Sequence, residues 1–209
     1  MKPSRIRVKM CGMTRIEDVH HAVSLGVDAI GMIFYPKSPR HISIAQAKKL
    51  TQDLPGFVDA VAVVVNPEKE FVEDIIAELP IQFIQFHGEE SPEFCEQFAK
   101  PFIKVIQPMS TDHIQHSVKE YAAAQALLFD TPSNQKGGTG QSFNWRLIPK
   151  NLSKPYFLAG GLNESNILQA LQSCNPYAVD INSGVESLPG IKDPLKMSRF
   201  MQVLGEYNE

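Results

Sequence analysis

The sequence predicts an α/β fold, a single-domain (β/α)8 TIM barrel. Apolar, β-rich runs recur eight times, at 6–11, 28–34, 58–65, 81–87, 102–107, 126–130, 156–160 and 177–182, and segments of helical character lie between them. Alternation of that kind implies parallel strands joined by crossover helices, and eight units are the number that closes a barrel; an open doubly wound sheet is the alternative. The 209 residues allow about 26 per unit, near the lower end of the ~200–400 residues such barrels occupy. One domain over 1–209 therefore takes up the whole chain, with short loops at the stability face.

The first strand alternates strictly. Period-2 spacing sets Arg7, Lys9 and Cys11 on one face and Ile6, Val8 and Met10 on the other, so the thiol is carried to the strand's C-terminal tip. Thr14 is the expected cap of a helix over 16–25. The second strand runs into a loop stiffened by Pro36 and Pro39 and ending in Arg40, after which Ser43 caps a helix over 44–54. The third is followed by a helix over 68–79, and the fourth ends at His87, with Ser91 opening the next helix. Asp130 terminates the apolar sixth strand. Residues 131–142, with Gly137, Gly138 and Gly140, form the longest irregular stretch and are expected to act as an active-site lid. They lack the spacing of a nucleotide P-loop. Gly160-Gly161 follow the seventh strand, ahead of a helix over 163–171, and Ser183-Gly184 follow the eighth, where a helix start is expected.

Composition excludes several classes of function. Twenty basic against twenty-three acidic residues, with no basic block, leave no footprint for nucleic acid or a membrane surface. No secretory leader and no apolar run of ~18 residues is present, so a cytoplasmic protein is expected. Cys11, Cys95 and Cys174 are far apart and without CxxC pairing, which suggests reduced thiols rather than a disulfide framework or a zinc site.

In a parallel α/β barrel the strand tips face one pocket. Cys11, Arg40, His87, Asp130, Gly160, Gly161, Ser183 and Gly184 all fall there. A thiol at a strand tip is a nucleophile, a proton carrier or buried filler. Asp130 is either a cap or a carboxyl facing that thiol across a small substrate, an arrangement that suits acid and base at two atoms. The Arg40 guanidinium has the shape to hold a carboxylate through two parallel hydrogen bonds. His87 is a donor, a proton carrier or a satisfied histidine. Glycine turns after strands seven and eight are the usual place for a phosphate in such barrels. A closed barrel sets strand eight beside strand one, so Lys9 and Asp180 both face inward, and an ion pair is predicted beneath Cys11, with the lysine's charge favouring the thiolate.

The motifs KMCGMT (9–14), SPR (38–40), QFHGEE (85–90), LLFD (127–130), GGTGQSFNW (137–145), LAGGL (158–162), VDINSGVE (179–186) and GIKD (190–193) together resemble the phosphoribosylanthranilate isomerase family. That resemblance spans nearly the whole chain. It implies a cofactor-free barrel enzyme of tryptophan biosynthesis that performs an Amadori rearrangement on a phosphosugar, with its base at Cys11 and its acid at Asp130. It also implies that Arg40 holds the anthranilate carboxylate and that Gly160-Gly161 and Ser183-Gly184 grip the phosphate; His87 and Asp180, by their positions, are expected among the substrate-binding residues. No metal is implied, because an iminium serves as electron sink. Two departures stand out: Asn144 where the family has aspartate, and Asn182 where it has serine. A histidine-pathway isomerase with the same chemistry is expected to carry a carboxylate where Cys11 stands. A non-catalytic phosphosugar-binding barrel is separated from an enzyme only by turnover. The resemblance leaves any association with neighbouring pathway enzymes undetermined.

Overall fold

A computed structural model describes residues 5–131 and 143–208. Eight strands, β1 (Arg7–Met10), β2 (Ala29–Ile33), β3 (Asp59–Val64), β4 (Phe83–Phe86), β5 (Phe102–Ile106), β6 (Ala126–Phe129), β7 (Tyr156–Leu158) and β8 (Ala178–Ile181), pair in sequence order into a closed barrel. Every neighbouring pair is parallel, and β8 returns to β1 with Lys9 opposite Asp180. The doubly wound alternative is thereby excluded.

Alternation along each strand divides the core in two. Val61, Ile103, Val105, Leu128 and Ala159 point inward and form an apolar plug with Ala29, Phe83 and Phe157. Residues one step away, among them Val8, Met10, Ile30, Met32, Ile84, Phe86 and Phe129, point outward and pack under the helices. Those helices are α1 (Ile16–Ser24), α2 (Ile44–Thr51), α3 (Lys69–Glu78), α4 (Pro92–Glu96), α5 (Thr111–Glu120), α6 (Ile167–Ser173) and α7 (Pro194–Asn208). Among the described residues no helix is long and apolar enough to cross a membrane.

Capping follows the sequence at two of the three expected positions. Ser43 and Gln46 form a reciprocal capping box on α2, and the Ser91 hydroxyl accepts from the Phe94 amide. Thr14 does not cap α1: Arg15 takes the cap position, and the Thr14 hydroxyl donates to the Gly190 carbonyl at 2.5 Å. The helix expected from 163 begins only at Ile167, because the Asn163 and Asn166 side chains bond nearby backbone amides and hold the segment in a turn. After β8 the chain makes a single 3-10 turn, Ser183–Val185, in place of the expected helix. It then enters an antiparallel hairpin of β9 (Glu186–Leu188) and β10 (Ile191–Lys192), turned by Pro189-Gly190. The expected lid lies outside the described residues apart from Thr131.

Candidate active site

Among the described residues, three side-chain clusters line the C-terminal mouth of the barrel. The first surrounds the thiol. Cys11 is buried, and its amide donates to the Ile181 carbonyl at 2.8 Å, tying the tip of β1 to β8. Beneath it the Lys9 ammonium donates to Asp180 Oδ1 at 2.9 Å and Oδ2 at 3.0 Å, with both side chains nearly sealed from solvent. Burial disfavours the ammonium, but Asp180 and the thiol outweigh it and hold Lys9 protonated above its ordinary range. The predicted ion pair is present. Its expected effect on the thiol is outweighed, however: burial pushes Cys11 upward, Lys9 pulls it down, and Asp180 adds to the rise, so the net shift is toward the thiol. Asp180 has both oxygens engaged by Lys9, so it forms the floor of the site.

Room for this cluster comes from Gly31 on the adjacent strand. A Cβ there would stand 2.6 Å from Cys11 Sγ and 2.9 Å from Lys9 Nζ. Gly31 is not among the expected site residues, although a glycine inside a strand run signals close approach by a neighbour.

The second cluster stands at the tips of β4 and β6. Asp130 accepts from the Thr131 amide at 2.7 Å, and Oδ2 lies 3.5 Å from His87 Nε2. Burial raises the Asp130 carboxyl to about 6, against the opposing pull of the Thr131 amide and the Lys9 charge. His87 is lowered by burial, so the imidazole is neutral at pH 7. The two residues are brought together, with a protonatable carboxyl facing an uncharged ring.

The third cluster belongs to Arg40. Its Nε and Nη2 donate to Glu186 at 2.9 and 2.6 Å, so one edge of the guanidinium is already occupied. Nη1 makes no hydrogen bond among the described residues. Glu186 also accepts from Lys192 Nζ at 3.0 Å and from the Gly190 amide at 3.2 Å. Burial opposes the charged form of Glu186, but Arg40 and Lys192 prevail and hold it below the usual carboxylate range. Glu186 and Lys192 sit in quoted motifs, yet their role was missed. The pairing depends on a hairpin signalled only by Pro189-Gly190.

Between β7 and β8 the two glycine turns meet. A Cβ on Gly184 would overlap the Leu162 carbonyl oxygen, so the 183–184 turn lies flat against the segment that follows Gly160-Gly161. Gly160 and Gly161 take φ of 88° and 69°, and a Cβ on the first would overlap the Thr131 hydroxyl. The four expected cradle residues are thus contiguous at one point of the rim.

Residues 8–203 match the protein family described as N-(5'phosphoribosyl)anthranilate (PRA) isomerase. The chain belongs to the phosphoribosylanthranilate isomerase family. A family member from Legionella pneumophila (strain Lens) is 62% identical over 205 residues, covering 98% of this chain and 99% of its own. One from Nitrosococcus oceani is 45% identical over 205 residues, with coverage of 98% and 100%. Among solved structures, the Thermotoga maritima phosphoribosylanthranilate isomerase superposes with a TM-score of 0.89 at 36% identity, over 96% of this chain and 99% of its own. Another, in complex with reduced 1-(o-carboxyphenylamino)-1-deoxyribulose 5-phosphate, gives 0.83 at 33% identity, with coverage of 96% and 99%. This phosphoribosylanthranilate isomerase family member is therefore an enzyme of the isomerase class.

Proposed function

We propose that the chain converts N-(5-phosphoribosyl)anthranilate to 1-(2-carboxyphenylamino)-1-deoxyribulose 5-phosphate in tryptophan biosynthesis, with Asp130 as general acid and Cys11 as general base. The observation that carries the assignment is the raised carboxyl of Asp130 beside a neutral His87, with the thiol anchored on β1 above the Lys9 ammonium. Asp130 donates its proton to the furanose ring oxygen, and the C1–O bond breaks as nitrogen's lone pair forms the iminium. The Cys11 thiolate then takes the C2 proton, whose bonding pair neutralises the iminium and leaves an enolamine. Tautomerisation gives the ketone. The iminium accepts the electron pair, so the chemistry calls for no metal or organic cofactor.

Arg40 takes the anthranilate carboxylate on its unoccupied side, and Gly160, Gly161, Ser183 and Gly184 present backbone amides to the phosphate. His87 borders the acid and Asp180 supports the floor. The chain works as one catalytic unit over 1–209, in the cytoplasm, on a small phosphosugar rather than on nucleic acid or a membrane. A fluorescence assay following loss of the anthranilate substrate tests the reaction directly. Turnover with formation of the ketose phosphate is expected, and saturable binding without product would leave a phosphosugar-binding barrel instead.

A further inference from the structure

We propose that Asn182 is a second hydrogen-bond donor to the substrate's carboxylate, standing beside Arg40 and aimed there by the buried ammonium of Lys192. The inference rests on the substrate assigned above and concerns which anionic group each donor meets. By sequence, Asn182 adjoins the Ser183-Gly184 turn and would be grouped with the phosphate cradle. Its side chain lies elsewhere. A Cβ on Gly12 would stand 2.6 Å from Asn182 Oδ1, 3.1 Å from Asn182 Nδ2 and 2.8 Å from Arg40 Cδ. The amide and the arginine stem therefore share one wall over Gly12, next to Cys11. The Ser183-Gly184 turn packs instead against Leu162.

Lys192 fixes which end of that amide is offered. Its Nζ donates to Asn182 Oδ1 at 2.9 Å, to the Asn182 carbonyl at 3.2 Å and to Glu186 Oε1 at 3.0 Å, which provides one acceptor for each of its three protons. An ammonium has no acceptor to offer, so the amide atom it touches is the oxygen, and the NH2 is turned away as a donor. Glu186, held by the same Lys192, grips Arg40 through Nε and Nη2. One fully buried lysine thus sets both the amide and the guanidinium. It is itself anchored: its backbone amide donates to Asp18 on α1 at 3.1 Å. Two cations around one carboxylate leave a single surplus positive charge, the complement of one carboxylate, while Arg40 and Asn182 supply a donor for each of its oxygens.

The test compares two product analogues by binding titration: reduced 1-(o-carboxyphenylamino)-1-deoxyribulose 5-phosphate and its counterpart lacking the ring carboxylate. Asn182→Ala is expected to weaken the first at least about 10-fold and the second less than about 2-fold, the size of one hydrogen bond to a charged group. Asn182→Asp should widen that difference by setting carboxylate against carboxylate. Lys192→Met, which frees both the amide and the guanidinium, should weaken the first analogue at least as much as Asn182→Ala does and largely spare the second, whereas a merely structural role would weaken both alike. Where Lys192→Met does not fold, the two Asn182 variants decide the question. Equal weakening of both analogues would assign Asn182 to the phosphate and overturn the proposal, as would no weakening of either. Failure of the wild-type protein to bind either analogue would overturn the substrate assignment and this inference together. Loss of turnover in Cys11→Ala concerns the catalytic reading alone.

Discussion

The Lys9 ammonium is shared between the two oxygens of Asp180, at 2.9 and 3.0 Å, across strands in direct register. Removing one partner strands the other as a buried, unpaired charge. Lys9→Met is expected to lower stability by about 3–5 kcal/mol, measured by chemical denaturation. The double variant Lys9→Met/Asp180→Leu should recover most of that loss, because two apolar groups need no counter-ion. A double variant as unstable as the sum of the singles would show that the two charges do not act as a unit.

The proposed mechanism makes Cys11, at the tip of β1, and Asp130, at the tip of β6, separate proton carriers. Cys11→Ala and Asp130→Asn are each expected to lower kcat by at least ~10²-fold while leaving binding of the reduced product analogue within a few-fold. Steady-state kinetics with a parallel titration separates the two effects. Wild-type turnover in Cys11→Ala would remove the thiol as base and make His87 the next residue to replace.

The pH profile should carry an unusual signature. Burial sets Asp130 at about 6 and Cys11 above its ordinary value, so between the two the abundant state is carboxylate with thiol, the inverse of the productive pair. Both states hold the same number of protons. Their ratio is then independent of pH, and kcat/KM stays flat across that window. Below about 6 a further proton binds, and kcat/KM should fall about tenfold per unit even though Asp130 acts as the acid. In Asp130→Asn the break at about 6 should vanish, and the residual activity should instead fall about tenfold per unit from the higher Cys11 value downward. An acid limb with an unmoved midpoint in that variant would remove Asp130 from the assignment.

Gly31 gives the thiol its space. Gly31→Ala sets a methyl 2.6 Å from Sγ and 3.1 Å from the Cys11 Cα, where backbone must give way. Activity should fall at least ~10-fold with a stability loss of about 1–3 kcal/mol, the usual range for overpacking. Unchanged kinetics together with an unchanged denaturation midpoint would mean that the strand shifts without disturbing the base.

How much of this was legible in the sequence depends on the range of the forces involved. Alternation in 6–11 was enough to face Lys9 and Cys11 inward, and closure of eight units brought Asp180 beside Lys9. Both follow from local periodicity and a count. Asp130 and His87 were each placed at a strand tip, yet their 3.5 Å approach requires the relative rotation of β4 and β6, which no local pattern encodes. The Arg40–Glu186–Lys192 chain was hidden for a similar reason. It forms because a short hairpin folds back over the mouth where a helix start was expected. Thr14 was misread as a cap because its hydroxyl is spent on that same hairpin. The net direction of the Cys11 shift was also out of reach, since it is set by the depth of burial rather than by the neighbouring charge alone.

With its carboxyl at about 6, Asp130 holds a proton in only about one empty barrel in ten at pH 7. A ligand bearing a carboxylate and a phosphate adds negative charge to the same mouth, and that charge drives the Asp130 value higher. The occupied site therefore takes up a fraction of a proton from bulk water as it forms, and the heat of association depends on which buffer supplies it. On the proposed mechanism, substrate binding thus draws from bulk water the proton that Asp130 passes to the ring oxygen.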